Sequence, residues 1–83
     1  MFYIYILYHI DLDKYYIGST NNLEDRLHRH NTGQSKSTKK GAPNWNIVYT
    51  ETFETRSAAY QREMKIKRMK SRKYIERLIL KVD

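Results

Sequence analysis

Cysteine is absent from the sequence, so neither a disulfide framework nor a cysteine-ligated zinc site is available. A reducing compartment is therefore allowed. Long apolar runs are also missing: nothing approaches the ~20 residues that a helix needs to span a bilayer. Met1 leads straight into strand-like sequence, without the basic and then apolar layout of a secretory leader. The expectation is a soluble, cytoplasmic protein with no membrane partner. No internal repeat or low-complexity stretch is visible. At 83 residues the chain should form one domain, residues 1–83, slightly above the ~70–80 residues below which a single core usually needs a staple. Acidic residues are scarce, with 9 Asp and Glu against 16 Lys and Arg for a net charge of +7.

Tyrosine is abundant, with eight copies. Several fall in two strand-like runs, Phe2 to Tyr8 and Lys14 to Ser19, rich in the β-branched and aromatic residues that suit a pleated, half-buried surface. The short connection between them predicts an antiparallel hairpin, with Asp11 and Asp13 bonding their own backbone in the turn. Alternation puts Tyr3, Tyr5 and Leu7 on one face and Phe2, Ile4 and Ile6 on the other, while Tyr16 and Gly18 share a face. If the Tyr5 and Tyr16 faces coincide, two phenols converge beside a residue with no side chain, where another backbone or a ligand could approach.

A helix should follow over Leu23 to Asn31. Asn21 or Asn22 can cap it, Glu24 and Asp25 suit its first turn, and Gly33 suits its end. Leu23 and Leu27 mark its buried stripe, His30 borders it, and Arg26 lies beside it. Gln34 to Asn44, with little apolar content, reads as a mobile surface loop, either a plain connector or one whose Lys36, Lys39 and Lys40 can touch phosphates. Trp45 to Phe53 should be the third strand, with Ile47 and Tyr49 facing one way and Val48 the other. Thr55 can cap a helix from Arg56 to about Met69, with Ala59, Tyr60, Met64 and Ile66 as its apolar residues. Glu63 interrupts them on the packed side, where a carboxylate needs a cation, a metal or hydrogen bonds. Ser71 can cap a last helix, Arg72 to about Lys81, with a stripe of Tyr74, Ile75, Leu78 and Ile79.

The predicted class is α+β, a three-stranded antiparallel sheet flanked by helices in the order β-β-α-β-α-α. The segment from Arg56 to Arg77 carries nine Lys and Arg against Glu63 and Glu76. A basic stripe of this kind favours a polyanion, nucleic acid first, over a merely solubilising face.

The tripeptides Tyr3-Ile4-Tyr5 and Tyr16-Ile17-Gly18, ten residues apart, resemble the signature of the GIY-YIG nuclease family. The second matches letter for letter. The first carries Tyr3 where the naming pattern has glycine, as many small bacterial members do. The resemblance runs on through Asn22 to Leu27, His30-Asn31-Thr32-Gly33, Arg62-Glu63 and Ile66-Lys67, and is greatest to the single-domain bacterial members. It implies a single GIY-YIG domain over residues 1–83 and divalent-metal-dependent hydrolysis of a DNA phosphodiester, with magnesium as the metal. Structured or damaged DNA is the substrate class in view. A protein partner and the oligomeric state stay open.

Carried over by position, Tyr5 would activate or orient the attacking water and Tyr16 would support it or contact the phosphate. Arg26 would clamp the phosphate, His30 would assist proton transfer or orientation, and Glu63 would hold the metal. Lys36, Lys39, Lys40 and Lys67 would bind the nucleic acid. These roles suit the chemistry. An arginine meets phosphate oxygens bidentately, and magnesium keeps several waters and asks for few carboxylates. A tyrosine near its ordinary pKa of ~10 is a poor base, so Tyr5 is expected to need a cation or metal to lower it. The alternatives are a nucleic-acid-binding module without catalysis and an interaction protein with a basic face.

Overall fold

A computed structural model describes residues 1–80. The elements run β1 (Phe2–His9), β2 (Lys14–Thr20), α1 (Leu23–Asn31), a 3-10 turn (Lys39–Gly41), β3 (Asn46–Phe53), α2 (Arg56–Met69) and α3 (Arg72–Leu80). Lys81, where the sequence put the end of the last helix, lies outside the described residues. The strands form one antiparallel sheet in the order β2-β1-β3, the α+β arrangement expected. No described helix is long and apolar enough to cross a membrane.

β1 is central because both its faces are apolar. Ile4 and Ile6 point to one side and pack with Ile17, Ala59 and Ile66. The Tyr74, Ile75, Leu78 and Ile79 stripe of α3 closes over that side. Tyr5 and Leu7 point to the other side and pack with Trp45, Tyr16, Leu23 and Leu27. The hairpin register pairs Tyr5 with Gly18 and Leu7 with Tyr16, so the faces expected to coincide do coincide. The helix caps also fall as expected. Asn22 Oδ1 accepts from the Asp25 N–H, Thr55 Oγ1 from Ala58 and Ser71 Oγ from Tyr74. Gly33 follows α1 with φ +77°, a conformation that costs a glycine little.

Four local expectations are corrected. The hairpin turn is held by His9 Nδ1, which accepts from the Leu12 N–H at 3.1 Å, not by the aspartates. Asp13 turns its carboxylate outward instead, to Tyr8 and Arg72. In β3, Ile47 and Tyr49 lie on opposite faces. A bulge shifts the partner of β1 from Tyr49 to Ile47 between Ile6 and Leu7, leaving Val48 as the extra residue and resetting the alternation. Tyr60 is 55% exposed, because Ala59, Glu63 and Ile66 repeat at helical spacing on the inner side and leave it off that stripe.

The fourth concerns the segment Gln34 to Asn44, which docks against the domain through polar groups. Thr38 is buried, and its hydroxyl meets His30. Its carbonyl accepts from Trp45 Nε1 at 2.8 Å, and His9 Nε2 lies 3.0 Å from the Gly41 carbonyl. A loop short of apolar residues can dock this way because buried donors and acceptors that find partners are not penalised.

Candidate active site

The chemistry-bearing groups gather at the β2 edge of the sheet. From the α1 side, the Tyr5 hydroxyl lies 2.9 Å from His30 Nε2, and His30 Nδ1 lies 2.6 Å from Thr38 Oγ1. Tyr5, His30 and Thr38 are all but fully buried and form a hydrogen-bonded relay: phenol, imidazole, hydroxyl. The Tyr16 ring packs against His30 with centroids 4.9 Å apart. From the α2 side, the Ser19 hydroxyl donates to Glu63 Oε1 and Lys67 Nζ donates to Glu63 Oε2, both at 2.7 Å. Ser19 and Tyr16 point to opposite faces of β2, so the two groups lie on opposite sides of the sheet. They meet around its edge, where Lys67 bonds Glu63 and also lies 5.8 Å from the Tyr16 ring centroid.

At Gly18 the edge strand carries no side chain of its own. A Cβ there would lie 2.6 Å from Tyr5 Cζ and closer still to the phenol oxygen. The room that the sequence reserved for a ligand or another backbone is taken by the Tyr5 ring, laid across the bare strand.

Burial raises the Tyr5 pKa well above its ordinary value. The neighbouring Tyr16 and Glu63 add to the rise, and Arg26 opposes it. Of the cations that a basic Tyr5 would need, Arg26 acts in the lowering sense, but desolvation outweighs it. Burial, aided by Arg26, pushes the His30 pKa down. The phenol and the imidazole of the relay are thus both held neutral near pH 7.

That depressed imidazole pKa has a stability consequence. The fold favours neutral His30, so its contribution is fully present above the unfolded value of ~6.5 and is lost as pH falls through the lower folded value. His30→Gln can still bond Tyr5 and Thr38 but takes up no proton. Thermal unfolding followed from about pH 7.5 to 5 should show a shallower acid limb for this variant than for the wild type. Parallel limbs would mean that His30 does not titrate with folding.

Arg26 has a buried Nε with no hydrogen-bond partner and takes part in none of the ion pairs among the described residues. Donors of this kind are nearly always paired, so the guanidinium is available to an incoming anion. Lys36, Lys39 and Lys40 stay outside the gathering, exposed on the loop whose Thr38 grips His30. Sequence reasoning overlooked Ser19, Thr38 and His9. Each is a common residue type whose role depends on a partner between 8 and 44 positions away.

No group of three or more His, Asp or Glu converges among the described residues. Magnesium does not require one, since it takes one or two carboxylates with waters and substrate phosphate oxygens. Glu63 fits as its protein ligand provided that the Lys67 ammonium, on a 40% exposed side chain, gives up Oε2.

The GIY-YIG catalytic domain model matches residues 1–75. A UPF0213 protein of Natronomonas pharaonis is 39% identical over 77 residues, covering 93% of this chain and 88% of its own. One from Clostridium perfringens is 41% identical over 69 residues, covering 83% and 73%. The solution NMR structure of a UPF0213 protein from Bacillus halodurans superposes with a TM-score of 0.58 at 29% identity, covering 95% of this chain and 83% of that one. With the sheet, the helix order and the match over residues 1–75 in agreement, the chain belongs to the GIY-YIG catalytic domain family.

Proposed function

We propose that the protein is a divalent-metal-dependent DNA endonuclease. One observation carries the reading: the Tyr5 phenol hydrogen-bonds His30 and lies within electrostatic reach of Tyr16, Arg26 and Glu63. That set brings together a proton relay, a permanent cation and a carboxylate, the groups that phosphodiester hydrolysis needs.

The substrate phosphate meets the unpaired Arg26 guanidinium, which offers a rigid fork to two oxygens and stabilises the charge that develops on them. Tyr5 need not become a free phenolate, which its raised pKa opposes. With the His30 proton on Nδ1 facing Thr38, Nε2 accepts the phenol proton while the phenol oxygen takes one from the attacking water. The phenol stays neutral throughout while His30 becomes an imidazolium. As the water oxygen bonds to phosphorus the P–O bond to the leaving oxygen breaks, that oxygen takes a proton from solvent, and His30 returns its proton to solvent. Tyr16, packed on His30, holds the imidazole plane and limits water around the relay. Glu63 would hold the divalent metal, which we take to be magnesium because that ion accepts a single carboxylate with waters and phosphate oxygens, and Ser19 orients that carboxylate. When bound, the ion supplies Lewis-acid stabilisation of the phosphoryl oxygens. Lys67, released from Glu63, and the loop lysines Lys36, Lys39 and Lys40 meet neighbouring phosphates.

The test is nicking of supercoiled plasmid and of branched DNA with magnesium, then with EDTA, for wild type, Arg26→Ala and Glu63→Gln. Cleavage is expected only with magnesium. Losing Arg26 should slow it by about 10²–10³-fold, as for loss of one oxyanion donor. Salt-dependent binding without nicking would favour the module that binds without cutting, and cleavage indifferent to both substitutions would mean a contaminating nuclease.

A further inference from the structure

The end of β2 and the first turn of α2 enclose a hollow of about 90 Å³, with Ser19, Thr20 and Asn21 on one wall and Phe2, Arg26 and Arg56 around them. No carboxylate lines it among the described residues. Arg26, whose buried Nε has no hydrogen-bond partner, joins the hollow to the reacting phosphate. Arg56 is the cation that the hollow has for itself. Its guanidinium lies 5.5 Å from the Phe2 ring centroid, and it takes part in none of the five ion pairs among the described residues. An arginine stacked on an aromatic face is restrained while its N–H fork stays free to bond oxygens. Thr20 and Asn21 add neutral polar groups beside the two cations. Ser19 ties the hollow to Glu63, and Arg26, whose charge reaches both Tyr5 and His30, ties it to the relay.

We propose that this hollow is a second phosphate subsite, in which Arg56 holds a phosphodiester of the nucleic-acid strand adjacent to the one undergoing reaction. The inference rests on the nucleic-acid substrate of the proposed function but not on cleavage. Two phosphates gripped by two guanidiniums, with Arg26 at the junction, fix the direction of the strand as well as its position. A single clamp would let the strand pivot.

The experiment measures binding of a DNA hairpin by fluorescence anisotropy in EDTA, so that nothing is cut. Single methylphosphonate substitutions neutralise one phosphate at a time along the strand, and wild type, Arg56→Ala and Arg56→Lys are compared. For wild type, neutralising the subsite phosphate should weaken binding about tenfold, the size of one charge-assisted contact. Arg56→Ala should weaken binding to the unmodified hairpin by a similar factor, lose sensitivity at that position alone, and lower the slope of log affinity against log salt by about one. Arg56→Lys should keep the slope and lose part of the affinity. Arg56 is exposed, and melting curves of the variants should overlay the wild type. An unchanged phosphonate profile in Arg56→Ala sinks the subsite even if the protein cuts DNA, while a selective loss supports it even if the protein cuts nothing. Absence of any wild-type binding sinks both readings.

Discussion

Tyr5→Phe should slow magnesium-dependent nicking by about 10²–10⁴-fold, the range for loss of a positioned proton-transfer group, while leaving metal-free DNA affinity nearly unchanged. The phenol is held neutral, so removing its hydroxyl takes no charge from the binding surface. What disappears is the oxygen that takes the water's proton and the hydrogen bond to His30 Nε2. The cost in stability should be about 1–3 kcal/mol, because a buried imidazole nitrogen loses its partner; for a domain of this size that is roughly 4–8 °C per kcal/mol. Single-turnover nicking beside a melting curve separates the two effects. The pH profile adds a second check. A phenolate base would raise the rate tenfold per unit up to a high pKa, whereas a relay that never forms a free phenolate gives no such climb above neutrality. A Tyr5→Phe rate within about threefold of wild type would remove Tyr5 from the chemistry.

Gly18→Ala should be more damaging than its single methyl suggests. The added Cβ would lie 2.6 Å from Tyr5 Cζ, a separation that requires one of the two groups to move. Tyr5 cannot yield cheaply: it is 2% exposed, packed with Leu7 and Trp45, and tied to His30. β2 cannot move away without opening its ladder to β1, where Tyr5 and Gly18 are direct partners. Overpacking of this kind costs about 1–3 kcal/mol, enough to lower the melting midpoint by roughly 5–20 °C in a domain of this length. If the ring is the part that gives way, its hydroxyl leaves His30 and nicking should fall as far as in Tyr5→Phe. Normal melting together with normal nicking would show that the edge has slack the geometry does not suggest.

Both predictions follow from building a site around the rim of a sheet instead of on one face. Strand alternation puts Tyr5 and Tyr16 on one side and Ser19 on the other, and α1 and α2 bring Arg26 and Glu63 from different layers. A glycine on an outer strand lets a ring from the central strand lie across the rim, so that groups from both layers act on one phenol.

The sequence by itself determined the elements and their order. Period-two aromatic and aliphatic runs, helix-spaced leucines and the polar caps at Asn22, Thr55 and Ser71 are local signals, and local signals survive in one dimension. Its two tripeptides, with Arg26 and Glu63 in order, also carried the family. Only the tertiary structure decided the rest. The bulge at Val48 depends on a partner strand, the docking of Thr38 on a histidine eight positions away, and the raised Tyr5 pKa on burial that no spacing reveals. The closeness of Arg56 to Arg26 joins two helix segments that are far apart along the chain. Desolvation, register and convergence are properties of neighbours in space, which folding selects and the order of residues states only indirectly.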